Sequence, residues 1–306
     1  MQRDAYIADY RKRYGRESVQ APGEGVITRT AAISTGSYEL DNALGVGGVP
    51  VGRLTEIYGT ESAGKTTVCY ELIASCQKNG GACAFVDAEH AVDPTYAEAI
   101  GVEWSAVTFV QPDYGEAGLE FVSGAVKHGV FDLIVVDSVA ALTPKVVVEG
   151  EVGDHTVGAL ARMMGSSIPK IAANAHKSNS TVVFTNQIRE KVGVIYGSPE
   201  TQPGGRTLRF HASTRIDLRP KDRNTEDGEV ISNRVHAKVV KNKVAPPFRE
   251  ADFTIVYGKG IDRAADRLAE LLETGEAKKA GKFYTLPNGT KVEGKARAIE
   301  HLRENQ

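Results

Sequence analysis

The chain has few of the residues that mark an oxidising compartment, a membrane or a generally basic protein. Among 306 residues there are three cysteines, one tryptophan and three methionines. Cys69, Cys76 and Cys83 lie close together without metal-type spacing, which suits free thiols in a reducing compartment. Lys and Arg number 37 against 39 Asp and Glu, a formal net charge of −2. No global basicity announces a polyanionic partner, so any such surface must be local. No uninterrupted apolar run approaches ~18 residues, so nothing is expected to span a membrane. Met1 is followed by charged, polar residues, so no secretory leader is expected and the cytoplasm is the expected location. Internal repeats and low-complexity tracts are also missing.

What is present is ordinary in bulk and specific in detail. The 41% apolar and 25% charged content suits a soluble globular protein. The length predicts one large domain plus a smaller one. The chain is organised around Leu54 to Thr67. An apolar, β-prone run, Leu54 to Tyr58, feeds a glycine loop that closes on Lys65, Thr66 and Thr67, and a helical run, Val68 to Cys76, follows. This is Gly-x-x-x-x-Gly-Lys-Thr between a strand and a helix, the context a phosphate loop requires. Gly59 and Gly64 let backbone N–H groups turn inward. Those groups and the helix N-terminus cradle phosphates, Lys65 adds charge for the β- and γ-phosphates, and Thr66 offers a hydroxyl to Mg²⁺. The pattern arises by chance in roughly one chain in a hundred of this length, before the flanking strand and helix are required.

Taken in order, Arg3 to Tyr14 carries Tyr6, Ile7, Tyr10 and Tyr14 at helical spacing. This arm docks either on its own domain or on a neighbouring subunit. Ala82 to Asp87 and Phe131 to Asp137 are short apolar strands ending in aspartate, with Val107 to Val110 as a further strand. Helices are predicted over Pro94 to Ile100, with Asp93 as N-cap, over residues 115 to 128, and over Ala159 to Ala173. Asp137, at the end of a continuous apolar run, sits where a parallel α/β sheet places its ligand site. Glu149 to His155 reads as a loop. After the strand Thr181 to Thr185, Ile188 to Arg206 lacks periodicity. Such a stretch is either a binding loop or disordered when free, with an ordinary surface loop as the plain alternative. Leu208 to Leu218 and Val230 to Val240 read as strands joined by a charged turn, Asp222 to Gly228. Lys238, Lys241 and Lys243 are placed on one side of the extended chain. Phe253 to Tyr257 is a further strand. Beyond Lys259 a helix (Ala264 to Leu272), a basic turn (Lys278 to Gly281), a hairpin and a last helix (Lys295 to Arg303) form a small α+β appendage.

The blocks then accumulate into a resemblance. Ile33-Ser34-Thr35-Gly36-Ser37, Glu61-Ser62-Ala63-Gly64-Lys65-Thr66-Thr67, Phe85-Val86-Asp87-Ala88-Glu89-His90, Val135-Val136-Asp137-Ser138, Asn186-Gln187-Ile188-Arg189 and Val239-Val240-Lys241-Asn242-Lys243 resemble the bacterial RecA recombinase family. The fold implied is α/β: a RecA-like P-loop NTPase core with a mainly parallel central sheet, a short N-terminal helix arm and a small α+β C-terminal domain. The divisions are residues 1–30, 31–258 and 259–306.

The resemblance implies a DNA-dependent ATPase that uses ATP and Mg²⁺. It would form homo-oligomeric helical filaments on single-stranded DNA and exchange that strand into homologous duplex DNA, in recombination, repair and the SOS response. Single-strand-binding protein and loaders are the further partners implied. The phosphates and Mg²⁺ fall to Gly59, Glu61, Ser62, Ala63, Gly64, Lys65, Thr66 and Thr67, with Asp137 supporting the metal. Glu89 matches the base that orients the attacking water. Gln187 matches the sensor of γ-phosphate. Tyr96 and Tyr257 match positions that pack on adenine, with Asp93 near it. Lys241 and Lys243 match cations that reach the neighbour's ATP, and Phe210 an interface residue. DNA contacts are implied for Gly150, Val157 and Arg162 around a first loop, and for Arg189, Tyr196, Gly204 and Gly205 in a second. Arg219 and Lys238, with His236, would face the duplex. Pro169 and Pro220 stand where bacterial members often have arginine. A nucleotide-binding regulator or a ring helicase sharing this core would lack the two loops with Lys241 and Lys243, or would need a larger N-terminal domain.

Overall fold

The computed structural model describes residues 2–15, 19, 31–151, 156, 158–190, 200–226 and 228–305. It divides into two units, Met1–Thr30 and Ala31–Gln306. In the first, the helix Gln2–Tyr14 buries none of its residues, and Tyr6 and Tyr14 are exposed. Its tyrosines stack along one face, Tyr6 on Tyr10 at 6.1 Å and Tyr10 on Tyr14 at 4.6 Å between ring centres, as side chains four apart on a helix do.

The second unit is built on a nine-stranded sheet. In chain order the strands are β1 (Leu54–Gly59), β2 (Cys83–Asp87), β3 (Val107–Val110), β4 (Leu133–Asp137), β5 (Thr181–Gln187), β6 (Thr214–Glu226), β7 (Glu229–Asn242), β8 (Glu250–Val256) and β9 (Gly260–Ile261). In space they run β9-β8-β7-β6-β1-β5-β4-β2-β3. The six strands from β6 to β3 are parallel. β7, β8 and β9 extend the sheet antiparallel.

The parallel strands read as continuous apolar runs because both faces are covered. Leu133 and Val135 of β4 belong to one core cluster, Ile134 and Val136 to the other. β2 divides likewise, Cys83 and Phe85 against Ala84 and Val86. That is the two-residue alternation of a strand between two helical layers. The helix Lys65–Lys78 covers the first face, and Gly115–His128 with Ala159–Ser178 covers the second. All three cysteines are buried.

Several expectations need correction. Thr207–His211 is helical, and β6 begins only at Thr214. The supposed charged turn from Asp222 is mostly strand: Asp222 pairs with Arg234 and Glu226 with Glu229. The second correction has a physical cause. Polar residues on a long two-stranded ribbon lie in water on both faces, so apolar alternation does not report them. Ile188 to Arg206 is not featureless at its ends, since Arg189–Glu190 pairs antiparallel with Glu200–Thr201. Lys278–Ala280 is a strand, not a turn, and completes a three-stranded sheet with Phe283–Thr285 and Lys291–Glu293. Leu268, Tyr284, Leu286 and Ala298 form its small core. Pro169 lies inside the helix Ala159–Ser178, and Pro220 lies beside a register shift between Pro220 and Asp222, where a sheet tolerates the missing donor.

Gly59 ends β1 against a neighbouring strand. A Cβ built there would stand 2.1 Å from the backbone oxygen of Leu218 on β6. Gly59→Ala is therefore expected to destabilise the fold by about 3 kcal/mol through forced separation of two central strands. Urea unfolding monitored by circular dichroism checks this.

Candidate nucleotide site and nucleic-acid interface

The C-terminal ends of the parallel strands open onto a cleft of about 650 Å³. Its wall contains Glu61, Ser62, Ala63, Gly64, Lys65, Thr66, Thr67, Glu89, Asp93, Tyr96, Asp137, Gln187 and Tyr257. The sequence assigned all of these to nucleotide, metal or catalysis. Gly59 lies below the loop and is not part of this wall. Gly64 is left-handed at φ 85°, and a Cβ there would stand 2.2 Å from Ile255 Cδ1, so only glycine fits.

Lys65, Thr66, Thr67, Glu89, Asp93, Tyr96, Asp137 and Gln187 are each held by a hydrogen bond. Lys65 Nζ donates to the carbonyl of Thr60 at 2.7 Å and that of Gly59 at 3.4 Å. Burial pushes its ammonium pKa down, opposed by Asp137, Glu89 and Glu61. The Thr66 hydroxyl donates to Asp137 Oδ2 at 2.7 Å, and Thr185 donates to Oδ1 at 2.5 Å. Burial pushes the Asp137 carboxyl upward, and those two hydrogen bonds oppose the shift. Ser138 and Gln187 both donate to one oxygen of Glu89, Oε1, the second at 3.3 Å. Asp93 caps its helix by accepting from the N–H groups of Thr95 and Tyr96. Tyr96 meets the Thr67 hydroxyl at 3.0 Å.

A hydroxyl touching a buried carboxylate beside a phosphate loop fits a hard cation shared with substrate phosphates. Among the described residues no group of three or more His, Cys, Asp or Glu could hold a metal by itself.

Sequence reasoning missed Ser138, Asn233, Ile255 and Gly258. Ser138 stood directly after Asp137, and its signal was passed over. Asn233 and Ile255 carried no local signal. They are cross-strand partners on β7 and β8, and only antiparallel pairing far along the chain brings them to the cleft, where Asn233 donates to the Ser62 carbonyl at 3.5 Å.

Of the lysines expected on one strand face, two share it, through a bulge. Lys238 and Lys241 are three apart, so an unbroken strand would turn them to opposite faces. A register shift pairs Lys238 with Asp217 but Lys241 with Arg215, leaving Val240 as the extra residue. That bulge restores a common face. Lys243 lies beyond β7. Lys241 Nζ donates to the carbonyls of Arg209 and Phe210, both at 2.8 Å. Eight residues of strand separate Lys241 from Asn233 at the cleft, about 26 Å. Lys241 is therefore remote from the cleft of its own chain. The Phe210 ring beside it is 65% exposed.

The positions assigned to DNA are less uniform. Gly150, Arg162 and Arg189 are exposed. Val157 and Tyr196 lie outside the described residues. Gly204 is buried, left-handed at φ 84°, and a Cβ there would approach Val139 and Met164. Gly205 faces Ala161 in the same way. Both glycines thus pack the chain on the helix Ala159–Ser178, whatever else they touch. Arg219 is bidentate to Glu200 at 2.7 Å and also bonds Asp217. Lys238 pairs with Glu250 at 2.7 Å and His236 with Asp252 at 2.8 Å. Each of these side chains has a carboxylate partner, so a polyanion would have to compete for it.

Known proteins agree with this geometry. The family described as RecA N-terminal domain matches residues 2–262. Protein RecA of Acinetobacter baylyi is 48% identical over 301 residues, covering 98% of this chain and 86% of the relative. Protein RecA of Staphylococcus carnosus is 48% identical over 302 residues, covering 99% and 85%. That of Staphylococcus aureus strain JH9 is 48% identical, covering 99% and 87%. The chain belongs to the RecA family. As a RecA family member it is an ATP-hydrolysing, DNA-dependent recombinase of recombination and repair, which binds nucleotide and DNA and forms filaments. No helix of the described residues is long and apolar enough to cross a membrane.

Proposed function

We propose that the cleft takes ATP with Mg²⁺ at a contact between two copies of the chain, and that its hydrolysis state controls the DNA loops. The observation that carries this is the convergence of Lys65, the Thr66–Asp137 pair and the Glu89–Gln187 pair on one cleft. Lys65 and the loop N–H groups bind phosphate. Thr66 and Asp137 hold Mg²⁺, which supplies charge neutralisation on the transferring phosphoryl group. Glu89 orients the attacking water, and Gln187 beside it registers the γ-phosphate. Tyr96 and Tyr257 pack the base, with Asp93 at its edge. Lys241 and Lys243 serve the cleft of a neighbouring copy, since Lys241 is remote from its own, and Phe210 accompanies them at the contact. Gly150, Val157, Arg162, Arg189, Tyr196, Gly204 and Gly205 contact the single strand, and Arg219 and Lys238 the homologous duplex. Residues 1–30 form the oligomerisation arm, 31–258 the ATPase core and 259–306 the small C-terminal domain. Work with single-strand-binding protein and loaders in the cytoplasm completes the proposal.

The test is ATP turnover with and without single-stranded DNA, paired with electron microscopy using a slowly hydrolysed ATP analogue. Stimulated turnover and filaments are expected. Unstimulated turnover without filaments would sink the proposal.

Lys241 adds a pH dependence. Burial, then the neighbouring Lys243 and Arg215 charges, push its ammonium down to about 8. Contact with a neighbour's phosphates needs the charged form, so assembly above that pH must take up a proton. Nucleotide-dependent assembly should weaken by up to about tenfold per pH unit above 8. Lys241→Arg should flatten the profile. Light scattering from pH 6.5 to 9.5 measures both.

A further inference from the structure

Arg215 is buried in the sheet and takes no part in the cleft. It lies on β6 directly across from Glu56 on β1, the strand that feeds the phosphate loop. Its Nε donates to Glu56 Oε2 at 2.5 Å, and its guanidinium lies 4.7 Å from the centre of the Tyr58 ring. The remaining bonds of this pair reach β5 and a segment beyond the sheet. A second guanidinium nitrogen of Arg215 donates to Gln202 Oε1 at 2.7 Å. Glu56 Oε1 accepts from Asn186 Nδ2 at 3.1 Å, and the same amide donates to the Pro203 carbonyl at 3.2 Å. Asn186 precedes Gln187, whose amide reaches Glu89 in the cleft.

We propose that Arg215 is a positioning residue that, with Glu56 and Asn186, clamps the returning end of the second DNA loop at Gln202 and Pro203 to the strand of the phosphate loop. This rests on the nucleotide-controlled DNA binding proposed above and names the parts that transmit it at that end. Two features favour the role over simple stability. A buried ion pair seldom stabilises a fold more than apolar residues of the same volume would. In addition, Arg215 spends its spare hydrogen bond on Gln202, and Asn186, which holds Glu56, spends another on Pro203, so the network reaches out of the core to one short segment. A shift of Gln187 moves Asn186, its neighbour in β5, and Asn186 is bonded at once to Glu56 and to the loop.

Arg215→Ala would strand a buried carboxylate and risk losing the fold, so Gln202 is the residue to change. It is half-buried, and its removal leaves the ion pair intact. In the full-length Gln202→Ala protein, the oligonucleotide concentration giving half-maximal ATPase stimulation should rise about tenfold, the scale of one hydrogen bond to a charged group. Nucleotide affinity and unstimulated turnover should be unchanged. Gln202→Glu keeps the acceptor and should restore the wild-type response. A wild-type DNA response in Gln202→Ala overturns the clamp. So does a loss of nucleotide affinity, or a fall in urea midpoint without loss of coupling. If the wild-type protein itself shows no DNA stimulation, the underlying reading fails and takes the clamp with it.

Discussion

Glu89→Gln is expected to bind nucleotide as the wild-type protein does and to hydrolyse it more slowly by about a hundredfold to ten-thousandfold, the range contributed by a positioned base. The geometry predicts this separation of binding from chemistry. Ser138 and Gln187 both donate to Oε1 of Glu89, and the side-chain carbonyl of glutamine can accept both bonds, each weaker without the carboxylate charge. Among the described residues the hydrogen bonds to Glu89 fall on Oε1 and none on Oε2. There an amide nitrogen replaces a carboxylate oxygen, and it neither carries charge nor accepts a proton. DNA-bound filaments should persist, because the step that ends them is slowed. Single-turnover hydrolysis with bound oligonucleotide checks this; wild-type turnover would remove Glu89 from the mechanism.

Lys65→Ala should fail earlier, at binding. The ammonium sits among carbonyls at the base of the loop, and burial has pushed its pKa down. A group already disfavoured as a cation gains strongly from a phosphate placed beside it. One charge pair at 4 Å is worth about 4 kcal/mol at an effective dielectric of 20, and water in the open cleft reduces that. Nucleotide affinity should therefore fall by about a hundredfold or more, and nucleotide-dependent DNA binding should disappear with it. Fluorescent-nucleotide titration and electrophoretic mobility shift measure the two losses. Tight, nucleotide-dependent DNA binding by this variant would contradict the coupling.

How much of this was legible beforehand depended on how local each signal is. The phosphate loop, the helix capped by Asp93 and the apolar strand ending at Asp137 are written in contiguous residues, and the structure has them where the pattern places them. The antiparallel half of the cleft is written nowhere locally. Asn233 and Ile255 reach it by pairing across β7 and β8, and the polar stretch from Asp222 to Glu226 shows no apolar alternation to betray its strand. Lys241 illustrates a subtler limit. Counting by twos along a strand gave the right face for the wrong reason, because one extra residue, Val240, restored what an odd separation should have broken. Ser138 was adjacent to a recognised aspartate and still missed, since its role depends on Glu89 arriving from another loop.

β7 has one more consequence. One end of it touches the cleft of its own chain through Asn233, and on the proposed arrangement the other end delivers Lys241 to the cleft of the next copy. A single stretch of extended backbone would then act as a ruler between successive triphosphates. Their spacing along the polymer would be fixed by peptide geometry, and a turnover event in one copy would tug directly on the grip of its neighbour.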